Sequence, residues 1–253
     1  MPEIGKAGAA SVSSGLQASY RNIELALVVG FCGGVPSLPH NNSELILGDV
    51  ILSDSVVDYN FGRQYPDGFQ RKNTVNESLG RPSRKIRSIL ACIKSCNAHI
   101  EFRNLVLEHL RCLQVQERRA CVCADCNSDQ DPVCTDALKC DCKELRCAEK
   151  VIPRHRLKNT PEPEIHIGTM ASADTVMKSG RHHDKLAEKE GIIGFEMEGA
   201  GVWGNIPCMI IKGVCDYTDS HKNKRWHAYA TATAAAAAKT FLTYWDSGRN
   251  EIV

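Results

Sequence analysis

Two short segments in the last quarter of the chain decide how it folds. The first is Gly194-Phe195-Glu196-Met197-Glu198-Gly199-Ala200, and the second is Met209-Ile210-Ile211-Lys212-Gly213-Val214-Cys215-Asp216. Each begins as an apolar run suited to a buried strand and then reaches carboxylates where the strand gives way to a helix or a turn. Because ligands in open α/β sheets bind outside the ends of neighbouring strands, we expect these carboxylates to share one site.

The chemistry of such a site follows from its acids. Carboxylates accept hydrogen bonds from the vicinal hydroxyls of a sugar, and a carboxyl group can also protonate a departing base nitrogen. An enzyme that acts on nucleosides is therefore the leading hypothesis from these residues alone.

Composition sets broad limits on the class of protein. The 253 residues are 43% hydrophobic and 24% charged, as in ordinary globular proteins, and the net charge is +1. That balance provides no overall field for nucleic acid or an acidic membrane. There is neither a signal-peptide core near Met1 nor an apolar run of about 20 residues that could span a bilayer. We expect a cytoplasmic protein with no nucleic-acid or membrane partner.

Apolar runs alternate with helical patterns along most of the chain, which predicts a three-layer α/β domain. Asp58–Gly80 is polar and rich in turn residues, and it is interpreted as a surface loop. Strands are predicted at Ile23–Val29, Leu45–Val57 with a bend at Gly48-Asp49, Ile165–Met170 and Met209–Val214, and helices at Lys6–Ser19, Arg84–Arg118 as one or two, Arg181–Glu190 and Trp226–Tyr244.

The 13 cysteines are concentrated in one segment. Seven lie between Cys121 and Cys147, within a predicted insertion at about residues 119–160, and three others, Cys32, Cys208 and Cys215, adjoin apolar runs. Without a signal sequence, reduced thiols or a metal are better interpretations than disulfides. The Cys-x-x-Cys pair Cys123 and Cys126 could hold zinc, although the spacings match no zinc module, and a loop with free thiols is the alternative. No other cofactor is expected.

Four segments follow one another along the chain: Ile23–Gly34, Ile167–Asp174, Phe195–Ala200 and Gly213–Asp216. Together they resemble the purine nucleoside and uridine phosphorylase superfamily, which also includes nucleosidases. The tail at residues 216–224 is most similar to the fungal branch, whose domains often precede larger NACHT or ankyrin-repeat regions. The resemblance implies a single domain over residues 1–253 with a central mixed sheet, and family members usually form homo-oligomers.

The resemblance also gives the acids their roles. Glu198 would accept hydrogen bonds from the ribose 2′ and 3′ hydroxyls, and Asp216 would protonate or hydrogen-bond the purine N7. Glu196 would either bind the substrate as well or only support Glu198. The alternatives are ordinary structural uses: an acid at a helix N-terminus for Glu198 and a turn cap for Asp216.

The remaining candidates surround these acids. Val176 and Met177 would line the base pocket, unless they are plain core residues, and Met197 lies between the two glutamates. The turn at Gly33 and Gly34 could let backbone N–H groups approach an anion.

The reaction implied is cleavage of the N-glycosidic bond of a purine nucleoside or nucleotide. Phosphorylases of the family often carry a Ser or Thr hydroxyl after the first glycine of the turn, where this chain has Phe31. Its absence favours hydrolysis over phosphorolysis.

A further departure lies at the start of the chain. Residues 1–7 resemble the turn and helix that follow the family's opening strands, so we expect a sheet without its first strands. The alternative to an enzyme is an inactive nucleoside-sensing or interaction module.

Three weaker candidates complete the set. The pair His182-His183 is interpreted as solvated surface. A basic cluster of His221, Lys222, Lys224 and Arg225 could meet a substrate phosphate or simply be a solvated helix start. Arg63 could reach the site from its loop.

Overall fold

The computed structural model describes residues 4–38, 43–72, 79–116, 156, 162–219, 222 and 224–250. Within them the chain alternates between strands and helices, as the sequence pattern predicts. The strands are β1 (Ala26–Gly34), β2 (Val50–Asp58), β3 (Gly62–Tyr65), β4 (Gly68–Arg71), β5 (Ile165–Ser172), β6 (Ile192–Glu196) and β7 (Cys208–Asp216), and the helices are α1 (Lys6–Ser19), α2 (Arg84–Ile93), α3 (Cys96–Gln116), α4 (Gly180–Glu190), α5 (Gly199–Trp203) and α6 (His227–Asn250).

Five strands form the central sheet in the order β1-β6-β5-β2-β7, and β7 pairs again with β1 to close it. The β1–β7, β2–β5 and β5–β6 pairs are parallel, whereas β1–β6 and β2–β7 are antiparallel. The predicted mixed sheet is confirmed. Its closure into a barrel was not predicted, because strand pairing depends on contacts distant in sequence.

The two deciding segments were expected to form neighbouring strands, but in the structure they do not. Strand β1 lies between β6 and β7 and pairs with β6 only at Gly33–Phe195 and Gly34–Gly194. Because this short overlap is antiparallel, the chain that leaves β6 continues from the carboxyl end of β1 back towards its earlier residues. The acids at the ends of β6 and β7 therefore still meet, across β1.

The layers on either side of the sheet follow from the alternation of side chains along β7. Met209 and Ile211 pack with residues of α3 and α6 in the largest core cluster. Cys208 and Ile210 point the other way and pack with residues of α1 and α5. This part of the sheet thus has a helical layer on each face, which confirms the predicted three-layer arrangement.

Helix α6 packs closely on the sheet because small residues meet at the contact. A Cβ at Gly213 would lie 1.9 Å from the Ala230 carbonyl oxygen. The alanine-rich stretch of the helix, where Ala234, Ala236 and Ala237 are buried, allows this short separation along its length.

Several element boundaries differ from those predicted. Asp58–Gly80 contains an antiparallel hairpin, β3–β4, rather than only a loop. The region predicted as one or two helices from Arg84 contains two in the described residues, Arg84–Ile93 and Cys96–Gln116. The strand predicted from Leu45 begins at Val50, after a turn with Gly48 at φ 94°.

A buried carboxylate ties sequence-distant parts of this fold together. Asp49 is fully buried and accepts hydrogen bonds from the backbone N–H groups of Ile46 and Glu164, each at 2.9 Å. It also contacts His166 Nε2 at 2.9 Å and forms a two-pronged ion pair with Arg156. The turn before β2 is thereby joined to the chain that enters β5.

Of the predicted cysteine-rich insertion at about residues 119–160, only Arg156 lies within the described residues. Zinc binding by its cysteines therefore stays a prediction. Cys32, Cys208 and Cys215 are buried free thiols, as predicted. None of the helices in the described ranges combines the length and the apolar character needed to cross a membrane.

Candidate functional site

A cavity of about 570 Å³ opens where the ends of β6 and β7 meet across β1. Seven of the eight site residues predicted from the sequence line it, and Gly34 is the exception. The seven are Gly33, Val176, Met177, Glu196, Met197, Glu198 and Asp216. The structure thus brings together residues that are up to 183 positions apart in the chain.

Glu196 holds the start of α5 in place. Its Oε1 accepts from the backbone N–H of Gly199 at 2.9 Å, and its Oε2 accepts from those of Gly199 and Glu198 at 2.9 and 3.0 Å. A carboxylate in this position satisfies amides that have no partner within the helix. Glu196 is also buried, and these contacts support the start of α5.

The Glu198 side chain does not cap α5 and contacts Lys212 instead. Glu198 is the N-cap residue of α5, yet its side chain makes no capping hydrogen bond. Its Oε2 instead accepts from Lys212 Nζ at 2.9 Å. The helix-capping role considered for Glu198 therefore belongs to Glu196, and the Glu198 carboxylate stands in the cavity wall.

Lys212 is the main site residue that the sequence reasoning missed. Its Nζ lies 2.9 Å from Glu198 Oε2 and 3.4 Å from Glu196 Oε2, and the side chain is almost completely buried. Burial alone would lower the Lys212 pKa, but the two glutamates outweigh it and raise that pKa above its usual value. The available signal was one lysine within the otherwise apolar run of β7.

Asp216 combines a turn contact with a place in the cavity wall. Its Oδ1 accepts from the Thr218 backbone N–H at 2.8 Å and lies 3.4 Å from Lys222 Nζ. Its Oδ2 accepts a long contact from the Cys215 thiol at 3.6 Å. The turn-cap alternative is thus present, but it engages Oδ1 and leaves the residue lining the cavity.

The two glycines of the turn have different surroundings. A Cβ at Gly33 would lie 2.1 Å from Thr218 Cγ2 and 2.8 Å from Asp216 Oδ1, so only glycine leaves the Asp216 carboxylate in place. A Cβ at Gly34 would instead meet the core side chains Leu45 and Val214. Gly34 therefore serves packing, and its expected place in the site is not supported by the cavity lining.

Phe31 and His227 form an aromatic wall. Their rings stack with centroids 4.2 Å apart and planes 20° from parallel. Partial burial, together with Lys222 and Lys224, lowers the His227 pKa against the opposing effect of Asp216. The Phe31 ring of β1 thus packs against the first turn of α6.

The apolar side of the cavity includes three of the predicted residues. Val176 is half-exposed, whereas Met177 is buried and also belongs to a core cluster with Phe195. Met197 lines the same wall. Tyr59 donates to the Thr175 carbonyl at 2.7 Å, which holds the segment carrying Val176 near the cavity.

The remaining candidates from the sequence differ in whether they line the cavity. Lys222 and Lys224 line the cavity, whereas Arg63 does not, and His221 lies outside the described residues. His183 is fully buried, 5.1 Å from the Phe195 ring centroid, so the prediction that it is solvated surface was wrong. Charged residues on the same helix concealed a buried position at its packed face.

Comparison with known proteins identifies the family. The model of the Phosphorylase superfamily matches residues 1–244, nearly the whole chain. This chain belongs to the phosphorylase superfamily. A nucleotide-binding leucine-rich repeat (NLR)-like protein of Hyaloscypha variabilis is 31% identical over 248 residues, or 96% of this superfamily member. The chain spans about a quarter (24%) of that relative's length.

Two solved structures share the fold of this chain at low sequence identity. The 5′-methylthioadenosine/S-adenosylhomocysteine nucleosidase of Colwellia psychrerythraea in complex with adenine is 14% identical, with a TM-score of 0.55, over 95% of this chain and 74% of that one. Futalosine hydrolase of Helicobacter pylori is 16% identical, with a TM-score of 0.53, over 97% and 77%. The phosphorylase/nucleosidase fold is thereby confirmed.

Proposed function

We propose that this protein cleaves the N-glycosidic bond of a purine nucleoside or nucleotide, with water favoured over phosphate as the acceptor. The observation that carries the proposal is the placement of Glu198 and Asp216 in the wall of one cavity, each held by its own neighbours. Membership of the phosphorylase superfamily and the fold shared with nucleosidases support it.

At the sugar end, Glu198 would accept hydrogen bonds from the ribose 2′ and 3′ hydroxyls. Its two oxygens suit vicinal donors, and the ion pair with Lys212 fixes the orientation of the carboxylate before a ligand arrives. Positive charge that develops on the sugar as the bond breaks would be stabilised by the nearby carboxylates.

At the base end, Asp216 would protonate or hydrogen-bond the purine N7. Thr218 holds Oδ1 in the turn, and the glycine at position 33 keeps the space beside the carboxylate open. Proton donation to the departing base lowers the barrier because negative charge would otherwise build up on the ring. The aromatic and apolar walls provide surfaces on which a planar base can pack.

The acceptor is assigned to water because Phe31 occupies the place of a phosphate-binding hydroxyl. Its ring stacks on His227 rather than offering a donor to an anion. Nucleotides remain within the substrate class, since the ammonium groups of Lys222 and Lys224 line the same cavity and could bind a 5′-phosphate.

The direct test is release of free base from adenosine, inosine, methylthioadenosine and ATP, each with and without phosphate. We expect phosphate-independent release, and a fall of about 100-fold or more in kcat for Asp216→Asn, in the range typical of a lost proton donor. Glu198→Gln should lose turnover as well, whereas Glu188→Gln, which changes an exposed acid on α4, should match the unaltered protein.

Two results would change the assignment. Base released only in the presence of phosphate would contradict hydrolysis. Binding without release of base from any of the four substrates would favour the alternative of an inactive sensing module.

A further inference from the structure

We propose that Cys215, Asp216 and His227 form an inhibitory zinc site in the floor of the cavity. Within the described ranges, each of these residues offers one ligand atom, and the three atoms all lie within 4.8 Å of one another. A thiolate, a carboxylate and an imidazole are the three side-chain types that zinc prefers.

The geometry needs only a modest adjustment to hold the ion. Zinc bonds of about 2.0 to 2.3 Å in a tetrahedron place ligand atoms roughly 3.5 Å apart. The ligand atoms already lie within 4.8 Å of one another, so small shifts of the side chains would close the remaining distance. The Cys215 thiol already contacts Asp216 Oδ2 at 3.6 Å, close to the separation required.

The three residues come from a firmly held part of the fold. Cys215 is buried as the last residue but one of β7, and Asp216 is fixed by the Thr218 amide. The His227 ring is held by its stack on Phe31. Ligand groups with restricted motion lose little entropy on binding a metal, which favours a preformed site.

The site would keep one coordination position open. All three residues line the cavity, so the fourth position of a tetrahedral ion would face its interior and take a water molecule. On binding, the Cys215 thiol would lose its proton to solvent as the sulfur–zinc bond forms.

Lys222 would compete with the zinc ion for the Asp216 carboxylate. Its Nζ lies 3.4 Å from Asp216 Oδ1, and its side chain is partly exposed, so it can swing out into solvent. A cation already beside the carboxylate weakens zinc binding, and its removal should therefore strengthen it.

Inhibition rests on the proposed function, whereas zinc binding does not. If Asp216 acts on the base, an ion bound to it would block that contact and occupy the place of the substrate. Zinc and nucleoside would then compete for one cavity.

Binding is tested by titrating the whole chain with Zn²⁺ against a chromophoric chelator. The unaltered protein should bind one more ion per chain than Cys215→Ser or His227→Phe, the latter keeping a ring stacked on Phe31. Cys208→Ser, a buried thiol on the same strand, is the control and should bind as the unaltered protein does. Any zinc held by the seven cysteines at 121–147 cancels in these differences.

Two further measurements complete the test. Lys222→Met should bind the additional ion more tightly than the unaltered protein does. In Cys215→Ser and His227→Phe the affinity for that ion should fall by more than the 10- to 100-fold expected when an outer-shell partner is lost. Equal stoichiometry in all the variants would overturn the site. Zinc binding without competition against a nucleoside would overturn the inhibitory role alone, and this can be read from ligand binding even if no turnover is found.

Discussion

At the scale of single residues, one lysine organises the acids of the cavity. Glu196 is held by backbone amides and Glu198 is not, so Lys212 decides where the Glu198 carboxylate rests. Two carboxylates this close would repel each other without a cation between them. The sequence signature Glu-Met-Glu therefore depends on a residue of another strand.

Replacing Lys212 by Met should damage both stability and ligand binding. It leaves the buried Glu196 carboxylate without its ion-pair partner, which typically costs about 3 kcal/mol or more in the free energy of unfolding. Urea denaturation measures the loss, and calorimetric titration with adenosine measures the accompanying fall in affinity.

Two variants control this prediction. Lys178→Met removes an exposed lysine from the same cavity and should change stability by less than about 0.5 kcal/mol. Lys212→Arg keeps the charge and should recover part of the loss. Equal stability of Lys212→Met and the unaltered protein would show that the ion pair contributes nothing.

At the scale of elements, β7 determines the layers through its alternating faces. Most strands and helices could be predicted because apolar runs and helical periodicity are local signals. The β3–β4 hairpin was missed because its strands are short and exposed, with few apolar residues to mark them. The barrel closure and the place of β1 between β6 and β7 depend on long-range pairing that periodicity does not encode.

The contact between β7 and α6 gives a sharp test at this scale. Gly213→Ala would place a Cβ 1.9 Å from the Ala230 carbonyl oxygen, so the helix must move or the strand must distort. We expect a loss of about 1–3 kcal/mol in the free energy of unfolding, measured by urea denaturation.

The matched control is Gly204→Ala, in the loop after α5. A Cβ there would meet nothing within 4 Å, and the backbone at φ −85° and ψ −12° accepts alanine. This variant should be as stable as the unaltered protein or slightly more so. A larger loss at residue 204 than at residue 213 would refute the close packing of α6 on β7.

At the scale of the whole molecule, the Asp49 cluster joins segments more than 100 residues apart. It links the turn before β2 to Arg156 and to His166 of β5. Burial would raise the Asp49 pKa, but the hydrogen bonds and charges of His166 and Arg156 outweigh it and lower the pKa. Neither the cluster nor its partners could be predicted from local sequence.

Asp49→Ala should therefore be strongly destabilising, by about 3 kcal/mol or more, because Arg156 loses its buried partner. Since the folded-state pKa lies below the unfolded value of about 3.9, the carboxylate contributes its full stability above about pH 4. That contribution is lost as the pH falls through the folded-state value. Unfolding curves of the variant and the unaltered protein, measured from pH 7 downward, should converge only in acid.

Asp54→Ala is the control for Asp49, because its ion pair with Lys94 is largely exposed. It should cost no more than about 1 kcal/mol at any pH. A pH-independent difference for Asp49→Ala would contradict the assigned charge.

The candidate site was predicted in outline from the sequence, since the resemblance supplied Glu198 and Asp216 and both line the cavity. The role of Lys212 was missed because a lysine in an apolar run does not reveal which acids it pairs with, and the Phe31–His227 stack was missed because its two rings are distant in sequence. Gly34 was assigned to the site because sequence alone does not tell which glycine of a turn faces the ligand.

The proposed function depends on recognition of the vicinal hydroxyls of a nucleoside by Glu198 in this cavity. Calorimetric titration of the unaltered protein and Glu198→Gln with adenosine and with 2′,3′-dideoxyadenosine tests this recognition. The unaltered protein should bind adenosine at least about 10-fold more tightly, since hydrogen bonds to a charged group contribute about 1.5–3 kcal/mol, and Glu198→Gln should lose most of that preference. An equal preference in both proteins, or none in the unaltered protein, would contradict it.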